Sequence, residues 1–86
     1  MPLNVSLVSA DAEVWSGEAE LVVAKTVIGE IGIMAGHEPV LGILSQGEVR
    51  ITTTGGDRVL ADARDGFLSM EGNDVTIVAG HAQLIS

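Results

Sequence analysis

The sequence predicts an all-β fold, a flattened antiparallel β-sandwich or barrel, and three observations carry that prediction. Apolar and polar residues alternate with a period of two through most of the 86 residues, which on a strand buries one face and wets the other. Turn-forming residues punctuate the alternation at short intervals: Ser16-Gly17, Thr54-Gly55-Gly56-Asp57, Asp65-Gly66, Glu71-Gly72-Asn73-Asp74 and Gly80-His81. No segment carries a convincing helical pattern of ten or more residues.

The elements follow in order. Leu3, Val5 and Leu7 against Asn4 and Ser6 make a first strand. A short strand around residues 13–15 ends at Ser16-Gly17, and residues 19–25 resume the pattern. Residues 29–41, Gly-Glu-Ile-Gly-Ile-Met-Ala-Gly-His-Glu-Pro-Val-Leu, interrupt it. Three glycines, a proline, a histidine and two carboxylates stand there between two apolar runs. The stretch reads as a long, chemically mixed turn. Its apolar residues Ile31, Ile33 and Met34 have no evident core to enter, which is the pattern of a docking edge. One short helical turn is expected near residues 39–44. Val49 and Ile51 then face away from Glu48, Arg50 and Thr52. The Thr54–Asp57 segment is a tight hairpin turn, where glycine supplies the positive φ such turns require. Val59, Ala61 and Ala63 alternate with Arg58, Asp62 and Arg64, Leu60 being the exception. After the corner at Asp65-Gly66 and the turn at residues 71–74, Val75, Ile77 and Ala79 continue the pattern, and Gly80-His81 separates them from residues 82–85. Consecutive strands joined by tight turns should run antiparallel.

Composition bounds what this fold can do. Eighty-six residues make one domain, spanning 1–86. Trp15 and Phe67 are the only aromatic residues, so the core must be built from Val, Ile, Leu, Ala and Met. No apolar run approaches the roughly 18 residues that span a membrane. No charged n-region with an apolar h-region opens the chain, so no signal peptide is expected. Without cysteine there is no disulfide and no thiolate chemistry. The net charge is −8, with Lys25, Arg50, Arg58 and Arg64 the only Lys or Arg residues. That field repels phosphate backbones and anionic headgroups, so neither nucleic acid nor membrane insertion is expected.

The chemistry-bearing residues do not add up to an active site. Gly29, Gly32 and Gly36 fit neither a dinucleotide fingerprint nor a phosphate loop, and Lys25-Thr26 precedes the glycines instead of following them. His37 and His81 are far apart, with only Glu38 as an adjacent carboxylate, so no metal is expected. Ser9, His37 and Asp11 can be drawn as a catalytic triad, but nothing in their spacing selects them and no nucleophile elbow is present. No enzymatic activity and no cofactor are expected. Glu30 and Glu38 either keep the turn soluble or, for Glu30, anchor an arginine or lysine of a partner with Ile33 and Met34 adding an apolar contact. Composition leaves both readings open.

At residues 29–41 the sequence resembles the epsilon subunit of F-type ATP synthase, whose signature reads Gly-Glu-Leu-Gly-Ile-Leu-Pro-Gly-His-Ala-Pro-Leu-Leu. Four further motifs are similar in the same order. They are the opening strand followed by Trp15-Ser16-Gly17, then Gln46-Gly47-Glu48-Val49-Arg50-Ile51, Gly66-Phe67-Leu68-Ser69-Met70 and Val75-Thr76-Ile77-Val78-Ala79. The resemblance covers the whole chain. It implies a sandwich of two five-stranded sheets, about ten short strands in all. It also implies a non-catalytic rotor subunit of the central stalk, coupling the gamma subunit to the c-ring on the cytoplasmic face of a bacterial plasma membrane. By the same resemblance Glu30, Ile31, Ile33 and Met34 lie on the c-ring side, and Ser9 and His37 on the gamma side. An isolated subunit with its partner surface bare is open to self-association. Ala35 departs from the family's proline, which loosens the loop. Met34 replaces a common leucine or tyrosine, and Asp65 a common glycine. The family's C-terminal helical hairpin has no counterpart in these residues, so inhibition through it is not expected.

The alternative is a lipoyl- or biotinyl-type carrier domain, another small acidic β-sandwich, modified at a hairpin-tip lysine. Lys25 is the only lysine, and it lacks the flanking Met or Asp of such hairpins. A sugar- or peptide-binding module would want exposed aromatic residues, which are scarce.

Overall fold

A computed structural model describes residues 2–45 and 47–85; Met1, Ser86 and Gln46, the first residue of one family motif, lie outside it. Seven strands follow one another: β1 (Leu3–Ser9), β2 (Glu13–Thr26), β3 (Gly29–Met34), β4 (Val40–Ile43), β5 (Gly47–Thr53), β6 (Arg58–Glu71) and β7 (Asp74–Leu84). Three of them are long because three expected breaks are bends within continuous strands. Ser16-Gly17 lies inside β2, Asp65-Gly66 inside β6, and Gly80-His81 inside β7.

Each long strand therefore has two arms, and the pairings sort the arms into two layers. In the first sheet the order is the opening arm of β2, then β1, the opening arm of β7, the closing arm of β6, and β4. In the second it is the closing arm of β7, the opening arm of β6, β5, the closing arm of β2, and β3. Seven continuous strands thus make two five-membered sheets. The body measures 29 × 25 × 19 Å, flattened as expected. The pairs are antiparallel except β1 with β7, which run parallel. Those two strands are far apart in sequence, so no tight turn dictates their direction.

Glycine is obligatory at the β6 bend. Asp65 has a φ of 61°, and a Cβ on Gly66 would stand 1.8 Å from the Val78 carbonyl oxygen. Only a residue without a side chain lets β6 cross this close to β7. At the β2 bend the Trp15 ring lies over Gly17, where a Cβ would meet it at 3.0 Å. This gives the aromatic-Ser-Gly motif a packing reason.

Two expectations are corrected. Residues 39–44 form no helical turn; Val40–Ile43 pair with Met70–Phe67 as strand β4. Residues 29–41 are not one long turn either. Their first half is strand β3, paired with β2 from Leu21↔Met34 to Thr26↔Gly29. Backbone groups left open by a mixed sequence still need partners, and the free edge of β2 provides them.

The core lies between the layers and is aliphatic as composition requires. Leu3, Val5, Leu7, Val49, Ile51, Ala61, Ala63, Val75, Ile77 and Ala79, all singled out by alternation, are buried, joined by Val22, Ile33, Leu68 and Met70, while Val59, singled out with them, is only half-buried against this core. Among the described residues Thr26 is the one polar residue in the buried set.

Candidate functional site

The register of β3 on β2 decides which residues of the expected docking edge reach solvent. Glu30 stands opposite Lys25, Gly32 opposite Val23 and Met34 opposite Leu21. These positions face outward, and Met34 is 62% exposed. The alternate residues face inward. Ile33 is fully buried in the core, and Ile31 is half-buried against it. The expectation that Ile33 offers a partner an apolar contact is therefore corrected, because a strand cannot present three residues from two phases of its pleat on one face.

Glu30 is not a free carboxylate. Its Oε2 accepts a hydrogen bond from Arg50 Nη2 at 3.1 Å, and Arg50 Nε stands 3.6 Å from Glu48. Both members of the shorter pair are about half exposed. Met34 lies four residues further along the same face, roughly 13 Å at strand rise. It borders a wide shallow cleft with Pro2, Glu18, Glu20, Ala35 and Thr54.

The two residues expected on the gamma side stand at opposite ends of the first sheet. Ser9 closes β1 beside Ala79, and its hydroxyl donates to the Ala12 carbonyl at 3.2 Å. His37 follows the turn after β3, where its backbone N–H donates to the Met34 carbonyl at 3.1 Å. The neighbouring Gly36 N–H donates to Asn73 Oδ1 at 3.4 Å, which ties this corner to the β6–β7 turn. The opening arm of β7 therefore separates Ser9 from His37. Ser9, His37 and Asp11 do not converge, and among the described residues no three His, Cys, Asp or Glu side chains are grouped to hold a metal. Lys25 lies within β2, opposite Glu30 and along Gly47, and not on a hairpin tip.

The outer face of the first sheet holds a feature that sequence reasoning missed. Val8 pairs with Val78, Val78 with Phe67, and Phe67 with Ile43. The four outward side chains form one apolar row across β1, β7, β6 and β4. Ile43 is 55% exposed and Leu41, on the same strand, 68%. The row runs on past Ile43 to the β2–β3 turn, where the Val27 N–H donates to the Ile43 carbonyl at 3.0 Å. A signal existed in the runs Phe67-Leu68 and Ile77-Val78-Ala79, which are apolar on both faces instead of alternating.

Charge divides between the layers. Lys25, Arg50, Arg58 and Arg64 all occupy outward positions of the second sheet. Residues 3–19, 35–44 and 66–79, which build the first sheet and its turns, hold Asp11, Glu13, Glu18, Glu38, Glu71 and Asp74 and no Lys or Arg. The first sheet thus presents an apolar row inside an acidic rim. This suits a partner with an apolar centre and basic margins.

Comparison with known proteins agrees with this architecture. Residues 2–85 match the family described as the β-sandwich domain of the ATP synthase delta/epsilon chain. The chain is 51% identical over 82 residues to the ATP synthase epsilon chain of Streptomyces coelicolor, covering 95% of itself and 66% of that protein. It is 43% identical over 84 residues to the ATP synthase epsilon chain of Frankia casuarinae, covering 98% of itself and 99% of that relative. Its fold is similar, with a TM-score of 0.90 and 22% identity, to a chain of the Euglena gracilis mitochondrial ATP synthase in an assembly that includes the c-ring. That match covers 96% of this chain and 53% of the Euglena chain.

Proposed function

The chain belongs to the ATP synthase delta/epsilon β-sandwich family, and from that premise we propose that it is a non-catalytic rotor subunit holding the gamma subunit and the c-ring together as one turning body. The single observation that carries the proposal is the apolar row Val8, Val78, Phe67 and Ile43, rimmed by carboxylates, on the outside of a close-packed sandwich. Torque transfer needs a stiff element clamped at two surfaces, and a core of interdigitated aliphatic side chains is stiff. An outward apolar row on a domain of this size is how an interface lost on isolation looks. The gamma subunit docks on this face, between the ends marked by Ser9 and His37. The c-ring meets the β3 edge, at Glu30 and Met34 with Ile31 behind them. The rotor sits on the cytoplasmic face of the bacterial plasma membrane, a placement supported by the bacterial relatives.

The carrier alternative has no comparable support, since Lys25 is inside a strand and the family match points elsewhere. The test is co-elution. The purified chain elutes with gamma under native-like conditions, and separate elution removes the stalk reading. Glu30→Arg in the assembled enzyme weakens coupling between proton flow and synthesis; unchanged coupling removes the ring contact while leaving the fold intact.

A further inference from the structure

We propose that two copies of this chain pair about a two-fold axis at the open side of the sandwich, each seating the Ile28 side chain of its β2–β3 turn in the other's cleft between β3 and β4. The pairing stands apart from the rotor reading, because both of its surfaces belong to this chain.

Strand β3 ends the second sheet and β4 the first, and the sandwich is open where these two edges lie alongside. A cleft of about 210 Å³ separates them, walled by Ile31, Val40, Leu41 and Gly42, with Ile28 at its mouth. Gly42 leaves the hollow, since it has no side chain to fill the space beside the Thr26 methyl, where a Cβ would stand at 3.1 Å. Ile28 is 95% exposed and so lies outside its own cleft, while Val27 beside it is 66% exposed. Two β-branched aliphatic residues thus occupy a hairpin tip where polar residues and glycine are the rule. The tip is fixed in place. The Thr26 hydroxyl donates to the Gly29 carbonyl at 2.7 Å and accepts from the Ile28 N–H at 3.3 Å, and the Val27 N–H donates to the Ile43 carbonyl at 3.0 Å. A knob held this way loses little further freedom on docking.

Knob and cleft share a border, and that decides the symmetry. A two-fold axis through the border carries each Ile28 over the other copy's cleft, so one contact is made twice and the pair closes. Charge decides against the other apolar surface. Two copies at −8 repel each other, and stacking two first sheets would set acidic rim on acidic rim. Residues 26–29 and 39–45, by contrast, carry no charge. Among the described residues that line the cleft only Glu30 is charged, and it is paired with Arg50 at 3.1 Å and stands opposite Lys25. Glu38 and Glu71 flank the far end of β4. The open side is therefore where two copies bring apolar surface together without opposing like charges. The exposed side chains there fall short of the roughly 800 Å² per partner of a standard interface, so the association is micromolar or weaker.

Sedimentation velocity on the whole chain from about 10 μM to about 1 mM tests this, with amide shifts followed over the same dilution. The chain passes from monomer to dimer and no further, and the shifts that move lie at residues 27–31 and 40–43. Ile28→Asn, at a turn position without a positive φ, melts with the wild type and dimerises at least about tenfold more weakly. Met34→Ala, at the other end of β3, changes dimerisation by less than about threefold. Raising salt from about 50 to about 500 mM leaves the dimer equal or tighter, because it screens the like net charges. A wild type still monomeric at about 1 mM overturns the proposal. So do growth beyond the dimer, shifts confined to Val8, Phe67 and Val78, a dimer that survives Ile28→Asn, or one that salt dissolves.

Discussion

Glu30 and Arg50 form an ion pair of 3.1 Å although their strands are not paired with each other. Strand β2 runs between β3 and β5, and the two side chains meet over it from either side. Because both are about half exposed, the pair contributes little to stability, about 0.5 kcal/mol or less. Glu30→Gln is expected to leave the thermal midpoint nearly unchanged. A drop of more than about 5 °C, corresponding to about 1 kcal/mol in a domain of this size, would show that the pair is part of the fold's support.

The two phases of β3 separate structure from surface. Ile33→Ala opens a cavity in the core and is expected to cost about 2–5 kcal/mol. Met34→Ala, one residue on and exposed, costs less than about 0.5 kcal/mol. Urea unfolding of both variants checks the pair. Equal costs would mean that the β3 register is wrong by one residue.

Gly66 tolerates no side chain. Gly66→Ala drives a Cβ into the Val78 carbonyl, and backbone at a strand crossing has nowhere to move. The expected loss is about 3 kcal/mol or more, enough to leave the purified variant largely unfolded by circular dichroism at 37 °C. A cooperative melt near the wild-type temperature would contradict the closeness of β6 and β7.

Thr26 serves the β2–β3 turn through its hydroxyl. Thr26→Val keeps the volume and leaves the Gly29 carbonyl and Ile28 N–H without that partner. The expected cost is about 1–3 kcal/mol, with faster amide exchange at Ile28. Unchanged exchange there would show that the turn is held by its backbone alone.

The apolar row is tested by polar replacement. Phe67→Ser with Ile43→Ser removes the exposed centre of the first sheet and is expected to weaken gamma binding by at least about tenfold, at modest cost to stability. The acidic rim predicts that wild-type association slows as salt rises, because screening shortens the reach of its field. Binding of the double variant equal to wild type would move the gamma surface elsewhere.

Much of the fold was legible because period two is a strong local signal. The alternating residues at 3–7, 49–51, 61–63 and 75–79 entered the core as read, Val59 reached only its margin, and the turn at 71–74 stands where its residues placed it. The candidate site was less legible. Residues 29–34 lack a clean polar phase, since two glycines interrupt the side-chain pattern, and their strand character comes from the waiting edge of β2. Val40–Ile43 likewise became a strand by pairing with β6. The outward row was hidden because Val8, Val78, Phe67 and Ile43 are spread over four strands, and none of these strands alone displays the row.

By itself the sequence determined an all-β chain, an aliphatic core, a surplus of negative charge and the hairpin turns at residues 54–57 and 71–74. These follow from the preferences of each residue and its near neighbours, which act over a few positions. Only the tertiary structure decided that three breaks are bends in long strands, that Ile33 points inward, that Arg50 occupies Glu30, and that four scattered side chains line up into one row. Those outcomes depend on register between strands distant along the chain, and hydrogen-bonded register is a property of pairs that no single strand carries.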